Sequence, residues 1–357
     1  MPSPQPSRLL LLKPCCIGDV VFTTPLLAAL RRAFPAAHIT WAVGTHSAPV
    51  IENHPLLDAV LPTGPAANPA RSPAGLLRLA LQLRQGRFDL AVVPDRSPAL
   101  ALAVWLAGIR ARAGLDSAGR GRFYSVKVPV DPRVVRHEAE IYLDIARALN
   151  LDTANCWANL PVSEEQVTAL PHPLRTANGL VVVHVGGGKN PGMIMTEKRP
   201  PVALLATVAA RAAAHLKTRI AILGGPEDRP RADELHAALP GMNLLSLVGV
   251  LSFAEIAALS RVTALAIGPD TGVLHLMAAA GAPTVMIFGP SDPRRYGPFV
   301  PPGRAAVAWK PYPLPEGGVA AGPPTDWSWE RHGVSAQGVW EAAQTLLDRA
   351  NNGNESA

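Results

Sequence analysis

The amino-acid sequence predicts an α/β protein with two doubly wound domains, each built on a parallel sheet. Short apolar runs alternate with helical patterns in both halves of the chain, as expected when helices connect parallel strands. The length of 357 residues suits about two domains. We therefore expect the ligand site at the carboxyl ends of the strands, in a cleft between the two domains.

The first half begins with an apolar run, Arg8–Lys13, that predicts a buried strand. A helical pattern follows over residues 19–34 but contains Pro25. We expect Thr24 to cap a helix whose first residue is Pro25, with residues 18–23 in a separate turn. The remaining patterns predict strands at 38–43, 58–61, 88–93 and 123–130, a mobile loop at 62–75, and helices at 75–86, 97–107 and 134–149.

The second half repeats this alternation after a weakly periodic stretch at 151–177. The sequence Ser-Phe-Ala-Glu at Ser252–Glu255 is a capping box that begins a helix. Further on, Gly281 and Pro283 end a helix and precede a continuous apolar run, which is typical of a buried parallel strand. Strands are predicted at 179–185, 219–223, 262–267 and 284–288, and helices at 201–216, 252–262, 272–280 and 335–350.

These patterns set the predicted domain boundaries. The amino-terminal domain covers residues 1–165 and the carboxyl-terminal domain residues 166–335. Residues 336–357 form a last helix and a disordered polar tail. No apolar run approaches the roughly 20 residues of a membrane span, and the amino terminus lacks the features of a signal peptide.

Cysteine content and charge narrow the class of protein further. Three cysteines, of which Cys15 and Cys16 are adjacent, form no disulfide framework, so a reducing cytoplasm is expected. Residues 1–150 hold 17 Lys/Arg and 10 Asp/Glu, whereas the remainder holds 16 and 17. The excess indicates either a coding bias toward arginine or a first domain that faces an anionic partner or membrane surface.

The first motif is a glycine and a carboxylate, Gly18 and Asp19, at the junction of the first strand and helix. Asp19 either caps the helix or lies in the cleft, where it could accept a proton from a substrate hydroxyl.

The second motif is a glycine run after a strand, Gly186, Gly187 and Gly188, followed by Lys189. Glycine lets backbone N–H groups approach a phosphate, and a nearby lysine supplies positive charge. Lys198 competes with Lys189 for this role. The alternative is a flexible loop with solvated lysines.

The third and fourth motifs also follow strands. Glu227, after a Gly-Gly-Pro turn, either binds the hydroxyl pair of a ribose or caps a helix. Asp270 and Thr271 precede a helix, Gly272 lets a ligand approach the backbone, and His275 lies one helical turn further. Because helix amino ends attract phosphate, this turn is a candidate phosphate site.

Several chemistries are disfavoured. No Cys/His cluster has zinc spacing, and no Asp-x-Asp pair stands at a strand end. An NAD-dependent dehydrogenase is disfavoured because the chain has no G-x-G-x-x-G fingerprint at its first strand. A metal-free enzyme would neutralise an anionic leaving group with lysine and a helix amino end, and the sequence offers both.

Taken in chain order, these motifs resemble glycosyltransferase family 9, the lipopolysaccharide heptosyltransferases. The match extends over nearly the whole chain. The residues that carry it are Lys13, Gly18-Asp19-Val20, Thr24-Pro25, Leu30-Arg31, Phe34-Pro35, His137-Glu138, Glu197-Lys198-Arg199-Pro200, Leu223-Gly224-Gly225-Pro226-Glu227, Asp270-Thr271-Gly272, His275, Ala278-Ala279 and Phe288-Gly289-Pro290-Ser291-Asp292-Pro293.

The resemblance implies a GT-B fold, in which two Rossmann-like domains face each other across a cleft. It implies inverting, metal-independent transfer of a heptose from ADP-heptose to the inner core of lipopolysaccharide, with no cofactor besides this co-substrate. The implied location is cytoplasmic, with peripheral contact at the inner face of the cytoplasmic membrane, and nucleic acid is not an expected partner.

The resemblance also assigns roles. Asp19 matches the general base that deprotonates the acceptor hydroxyl, Lys198 the lysine that contacts the donor's phosphates, and Glu227 the acid near the donor's ribose. The donor-binding glycines and lysine would be Gly187, Gly188 and Lys189. The donor-binding turn and helix match Asp270, Thr271, Gly272 and His275.

The acceptor side is expected to include Gly18 and two arginines, Arg120 and Arg122, because lipid A and its core are anionic. The chain departs from the family pattern in two places. Lys198-Arg199-Pro200-Pro201 lacks the tryptophan of the family's Lys-x-Trp-Pro, with an extra loop before it at 189–196, and the segment 310–332 lacks a cysteine that several relatives carry.

Two alternatives stay open. One is an enzyme of the same architecture that uses another nucleotide sugar, such as an epimerase or a hexosyltransferase. The other is a non-catalytic module that binds a nucleotide or polysaccharide, which would bind ADP without turnover.

Overall fold

The computed structural model describes residues 5–176, 179–190, 193–313 and 326–354, apart from the side chains of residues 189, 190, 193 and 350–354. The chain divides into two compact units, Met1–Ala158 and Asn159–Ala357. The sequence places this boundary seven residues later, at residue 165.

The first unit contains a six-stranded parallel sheet and four α-helices. Its strands are β1 (Arg8–Leu12), β2 (His38–Val43), β3 (Ala59–Pro62), β4 (Leu90–Val93), β5 (Ala111–Asp116) and β6 (Val126–Pro129), and its helices are α1 (Ile17–Ala33), α2 (Pro73–Gln85), α3 (Pro98–Leu106) and α4 (Glu138–Ala148). The strand order is β3-β2-β1-β4-β5-β6. Leu10 and Leu12 of β1 pack with α2 and α3, and α1 packs against α4.

The second unit contains another six-stranded parallel sheet, in the order β11-β10-β7-β12-β13-β14, and a small hairpin of β8 and β9. Its strands are β7 (Leu180–His184), β8 (Lys189–Asn190), β9 (Met193–Ile194), β10 (Ile220–Leu223), β11 (Leu244–Ser246), β12 (Thr263–Pro269), β13 (Thr284–Phe288) and β14 (Ala305–Trp309). Its helices are α5 (Glu164–Thr168), α6 (Val202–Leu216), α7 (Arg229–Ala237), α8 (Phe253–Ser260), α9 (Gly272–Ala279), α10 (Pro293–Tyr296), α11 (Trp329–His332) and α12 (Ala336–Asn354).

Both sheets confirm the predicted fold class. The central strands are buried at nearly every position, as expected for parallel strands covered on both faces. In the second unit, Val181 and Val183 of β7 and Val185 directly after it pack with α6 and α12 in one core. Crossover connections place every β-to-α turn of a unit at the carboxyl edge of its sheet.

The separate turn predicted at residues 18–23 is wrong, because α1 runs through Pro25 without a break. Proline has no N–H and therefore leaves the carbonyl of Val21 without its usual helical donor. The hydroxyl of Thr24 donates to that carbonyl at 2.8 Å. A threonine next to the proline thus supplies the missing hydrogen bond and keeps the helix continuous.

Other elements differ from the sequence expectations in extent. β5, β11, β14 and α7 were not predicted, and the strand expected at 123–130 is shorter. The last helix continues to Asn354, into the tail that was expected to be disordered, and its side chains Val339 and Trp340 join the core of the second unit.

Cys15 and Cys16 are joined by a disulfide, which the sequence did not predict. Because the two residues are adjacent, the bond cross-links no distant parts of the chain. In the part of the chain that the structure describes, no helix combines the length and apolarity required to cross a membrane.

Candidate active site

The turn after β12 forms the centre of a polar network in the second unit. Strand β12 ends at Pro269 and α9 begins at Gly272. Thr271 caps α9, since its hydroxyl oxygen accepts a hydrogen bond from the N–H of Leu274 at 3.3 Å. The predicted strand–turn–helix at residues 262–280 is therefore confirmed, and the amino end of α9 opens at the carboxyl edge of the sheet.

Asp270 is buried in this turn and binds three side chains. The Lys198 ammonium lies 2.6 Å from Oδ2, and the Ser291 hydroxyl donates to the same oxygen at 3.0 Å. Nε2 of His275 lies 3.3 Å from Oδ1. Burial alone would raise the pKa of Asp270, but Lys198 and His275 outweigh burial and hold it well below its usual range. Asp270 is therefore ionised and holds Lys198 at the mouth of α9.

Lys198 extends from a single 3₁₀ turn, Thr196–Lys198. The next residue, Arg199, donates from Nε to the carbonyl of Gly187 at 2.7 Å. Gly187 has φ +112°, and a Cβ there would lie 2.2 Å from Cγ2 of Thr271. Only glycine fits such a close approach. The predicted glycine motif and the predicted lysine motif therefore meet beside the α9 turn.

Gly188 continues the same loop, and a Cβ on it would lie 2.2 Å from the carbonyl oxygen of Met195. The backbone of Lys189 forms part of the small hairpin. Its side chain lies outside the described residues, so its expected contact with phosphate stays a prediction. Of the two competing lysines, the structure describes the position of Lys198.

The turn after β10 presents two acids with different environments. Glu227 is exposed, as a contact for a bound ribose would need to be, whereas Asp228 is buried. Asp228 accepts a hydrogen bond from the N–H of Gly225 at 2.9 Å and lies 3.5 Å from Arg199. Nearby His184 is buried, and burial lowers its pKa to about 4, so it is neutral at pH 7.

Asp19 of the first unit lies in the first turn of α1. Its Oδ1 accepts a hydrogen bond of 2.6 Å from the hydroxyl of Tyr142, and Oδ2 lies 3.4 Å from the N–H of Cys16. Asp19 therefore caps the amino end of α1. Its side chain is 36% exposed, so the carboxylate is also accessible. The interpretation of Asp19 as a helix cap therefore has a structural basis, and its place in a cleft stays a prediction.

Lys13 lies beneath this carboxylate and is almost completely buried. Its ammonium is 3.1 Å from Asp95 and 3.7 Å from Asp19, and it lies over the Tyr142 ring. Burial lowers the pKa of Lys13, but Asp19 and Asp95 outweigh burial and raise it. Burial and the Asp19 charge raise the pKa of Tyr142 well above its ordinary value, so its phenol stays protonated and donates.

An ion pair supports the helix that carries Tyr142. Arg96 donates twice to Glu138, at 3.0 and 3.1 Å, and Glu138 begins α4. Tyr142 is four residues further along α4 and therefore lies on the same face. This pair orients α4 relative to the loop after β4, which contains Asp95.

The predicted acceptor residues of the first unit lie at the same sheet edge as Asp19. Gly18 is the second residue of α1, and Arg120 and Arg122 lie in the connection that follows β5. Both arginines are exposed, and Arg122 lies over the Phe123 ring.

Sequence reasoning missed Tyr142 and Asp95 as members of these networks, whereas Ser291 is among the residues that carry the family resemblance. A signal for Asp95 was present, since Pro94-Asp95-Arg96 directly follows a predicted strand. Tyr142 has no such signal, because it lies inside a helix and 123 positions from Asp19.

Comparisons with known proteins agree with this fold. The family model described as Glycosyltransferase family 9 (heptosyltransferase) matches residues 76–312. The chain is 26% identical over 315 residues to lipopolysaccharide heptosyltransferase 1 of Pseudomonas aeruginosa, covering 84% of this chain and 82% of that one. It is 25% identical over 308 residues to lipopolysaccharide heptosyltransferase 2 of Escherichia coli, covering 83% and 85%. The solved structure of E. coli ADP-heptose lps heptosyltransferase II matches with a TM-score of 0.73 and 21% identity, over 96% of this chain and 99% of that one.

Proposed function

The chain belongs to glycosyltransferase family 9 and is a glycosyltransferase of the heptosyltransferase family, and from this premise we propose that it transfers a heptose from ADP-heptose to the inner core of lipopolysaccharide. The observation that carries this proposal is the Lys198–Asp270 pair of 2.6 Å at the amino end of α9. A buried anion that holds a lysine at a helix amino end makes a site for the phosphates of a nucleotide sugar.

On the donor side, Lys198 and the amino end of α9 would stabilise the negative charge that develops on the departing ADP. Asp270 keeps the ammonium in place before the donor binds. The exposed Glu227 would bind the ribose hydroxyls, and Gly187, Gly188 and Gly272 would let the backbone approach the phosphates. The similar solved structure from E. coli is that of an ADP-heptose lps heptosyltransferase, which supports this choice of donor.

On the acceptor side, Asp19 would remove the proton of the attacking hydroxyl while the bond to ADP breaks. One of its oxygens is held by Tyr142, and its partial exposure makes it accessible to a substrate. General-base assistance contributes roughly 10²–10⁴-fold in rate. Direct attack on the anomeric carbon inverts its configuration.

We further propose that the reaction is independent of metal ions. In the part of the chain that the structure describes, no group of three or more His, Cys, Asp or Glu side chains could hold a metal ion. Lys198 and the α9 amino end would supply the charge that a metal supplies in other enzymes. Unchanged turnover in the presence of a chelator is the expected result.

A basic face of the first unit is the proposed contact with lipopolysaccharide and with anionic lipid at the cytoplasmic side of the membrane. Residues 59–88 contain four arginines and no acidic residue. Leu77 and Leu81 of α2 are 57% and 54% exposed, and Trp105 of α3 is 50% exposed. The Trp105 ring lies 5.6 Å from the Phe123 ring, over which Arg122 lies. Exposed apolar side chains close to arginine suit an anionic membrane surface.

Vesicle flotation tests this contact. Binding to phosphatidylglycerol vesicles should weaken in high salt and on changing Arg120 and Arg122 together to Gln. The matched control is Val250→Ser, which removes an exposed apolar residue of the second unit and should leave binding unchanged. Binding that is indifferent to salt and to both arginines would contradict an electrostatic contact.

The experiment that tests the transferase activity is a donor screen. Purified protein is incubated with ADP-heptose and other nucleotide sugars, with and without truncated lipopolysaccharide cores, while release of nucleoside diphosphate is measured. Release that requires both ADP-heptose and a core is expected. Turnover with a different nucleotide sugar would favour another enzyme of the same architecture, and ADP binding without turnover would favour a binding module.

A further inference from the structure

The turn that carries Lys198 is bound by a tryptophan from a distant part of the chain. The indole N–H of Trp329 donates to the carbonyl of Glu197 at 2.9 Å, across 132 positions of sequence. The local sequence Lys198-Arg199-Pro200-Pro201 contains no tryptophan. The turn has no tryptophan of its own, but Trp329 reaches it from α11.

The hydrogen bond acts on the peptide unit that leads directly into Lys198. The carbonyl of Glu197 and the N–H of Lys198 belong to the same planar peptide. Trp329 binds the oxygen of this peptide, and the carbonyl of Met195 accepts its N–H at 3.2 Å. Because both ends are bound, the plane of the peptide is fixed, and with it the direction in which the Lys198 side chain leaves the backbone.

Packing holds the indole in this position. The rings of Trp327 and Trp329 meet edge to face, with centroids 5.0 Å apart. Both rings lie close to Gly289, just after β13, where a Cβ would lie 3.1 Å from Trp329 and 3.2 Å from Trp327. Trp329 also packs against the core of the second unit. A side chain at residue 289 would push both rings away by a few tenths of an ångström.

The segment that carries Trp329 is attached to the strand edge of the same unit. Lys310, directly after β14, donates to the carbonyl of Arg331 at 2.7 Å. Tyr312 donates from its hydroxyl to Asp326, and its ring lies 4.8 Å from the ring of His332. These contacts lie on both sides of Trp329 in sequence. They hold α11 in the position from which the Trp329 indole reaches Glu197.

We propose that Trp329 is a positioning residue that aims Lys198 at the phosphates of the donor. Asp270 holds the ammonium end of Lys198, and Trp329 fixes the backbone end. This inference rests on the proposed function, because it concerns the lysine assigned to the donor's phosphates. Trp329 itself donates to the backbone, and its effect on the reaction passes through Lys198.

Binding of ADP and of adenosine, compared by calorimetry, tests this role. Adenosine lacks the phosphates, so the difference between the two affinities reports on the phosphate contact. Trp329→Phe removes the N–H and keeps an aromatic ring. Loss of one hydrogen bond corresponds to about a three- to tenfold weaker affinity for ADP, and adenosine binding should be unchanged. Turnover should fall with the same variant.

The matched control is Trp340→Phe. Trp340 is a buried tryptophan of the same unit whose indole N–H has no hydrogen-bond partner within the described ranges, so ADP affinity should stay within twofold. The double variant Lys198→Ala/Trp329→Phe should bind ADP no more weakly than Lys198→Ala alone. Where Trp329→Phe fails to fold, replacement of Trp329 by β-(3-benzothienyl)alanine keeps the ring shape and removes only the N–H.

The outcomes separate the inference from the proposed function. Wild-type ADP affinity in Lys198→Ala would remove the lysine from the phosphate site and so contradict the proposed function itself. A loss in Lys198→Ala together with wild-type affinity in the Trp329 variants would overturn only the positioning role. Equal weakening of ADP and adenosine, or further weakening in the double variant, would show that Trp329 acts independently of Lys198 and would also overturn it.

Discussion

Replacing Tyr142 by phenylalanine removes one hydroxyl from the network around the proposed general base. In the native structure that hydroxyl donates to Asp19 at 2.6 Å, and its raised pKa keeps it protonated at every pH of interest. The hydrogen bond holds the carboxylate in the orientation that the structure shows. Without it, the carboxylate turns more freely and is aligned less often with an acceptor hydroxyl, so we expect kcat to fall.

The size of this loss follows from the geometry. A hydrogen bond to a charged group contributes about 1.5–3 kcal/mol. The Asp19 side chain is 36% exposed, so water replaces part of the interaction, and the lower end of that range applies. Since about 1.4 kcal/mol corresponds to a tenfold change in rate, kcat should fall by about tenfold. Lys13 remains beside the carboxylate, so the loss should be smaller than in Asp19→Asn.

The assay is kcat for heptose transfer, measured for the wild type and for two tyrosine variants. Tyr124→Phe is the matched control, because Tyr124 is a buried tyrosine of the same unit whose hydroxyl has no hydrogen-bond partner among the described residues. Its kcat should match the wild type. Thermal unfolding of both variants identifies any general loss of stability.

Two results would refute this reasoning. If kcat of Tyr142→Phe equals that of the wild type while Asp19→Asn is inactive, Tyr142 does not position the base. If Tyr124→Phe lowers kcat by the same amount, the effect is a general consequence of altering the core and not of the hydrogen bond to Asp19.

Three further predictions concern both units. Asp19→Asn should lower kcat by roughly 10²–10⁴-fold and leave the Kd for ADP unchanged, as measured by calorimetry; full activity would remove Asp19 from the chemistry. Lys198→Ala should lower kcat and weaken ADP binding, and parallel measurement of Lys189→Ala shows whether the second lysine shares the phosphate; no effect of either would contradict the phosphate assignment. Asp270→Asn should destabilise the second unit by about 3 kcal/mol near neutral pH. Because the pKa of Asp270 is lowered in the folded state, its stabilisation is present above the unfolded value near 4 and decreases as pH falls below it, so denaturation curves of wild type and variant should converge in acid.

The sequence predicted the architecture where one local pattern was sufficient. Parallel strands buried on both faces appear as continuous apolar runs, which identified β1, β2, β7, β12 and β13. Prediction failed where a long-range contact changes the meaning of a residue. In β5, Arg112 interrupts the apolar pattern, yet its guanidinium donates to the carbonyl of Phe123 at 2.7 Å. An arginine with such a partner is compatible with a strand, but the partner cannot be seen in the sequence.

The same limit applies to the candidate site. Asp19, Lys198 and Asp270 follow strands or begin helices, and such positions can be identified along the chain. Tyr142 and Trp329 act on these residues from 123 and 132 positions away. No local pattern distinguishes them from ordinary core aromatics, so their roles emerge only from the packed structure.

The two carboxylates at the sheet edges differ in a way that supports the roles proposed for them. Asp270 is buried and has three side-chain partners, and its pKa is lowered, so accepting a proton would cost it the Lys198 ion pair. Asp270 with these partners therefore stays negatively charged. Asp19 is partly exposed and has a single side-chain hydrogen bond, from Tyr142. Its partial exposure lets the hydroxyl of a substrate reach the carboxylate, while Tyr142 and Lys13, 3.7 Å away, hold it in place. Of these two acids, only Asp19 therefore has the environment that a general base requires.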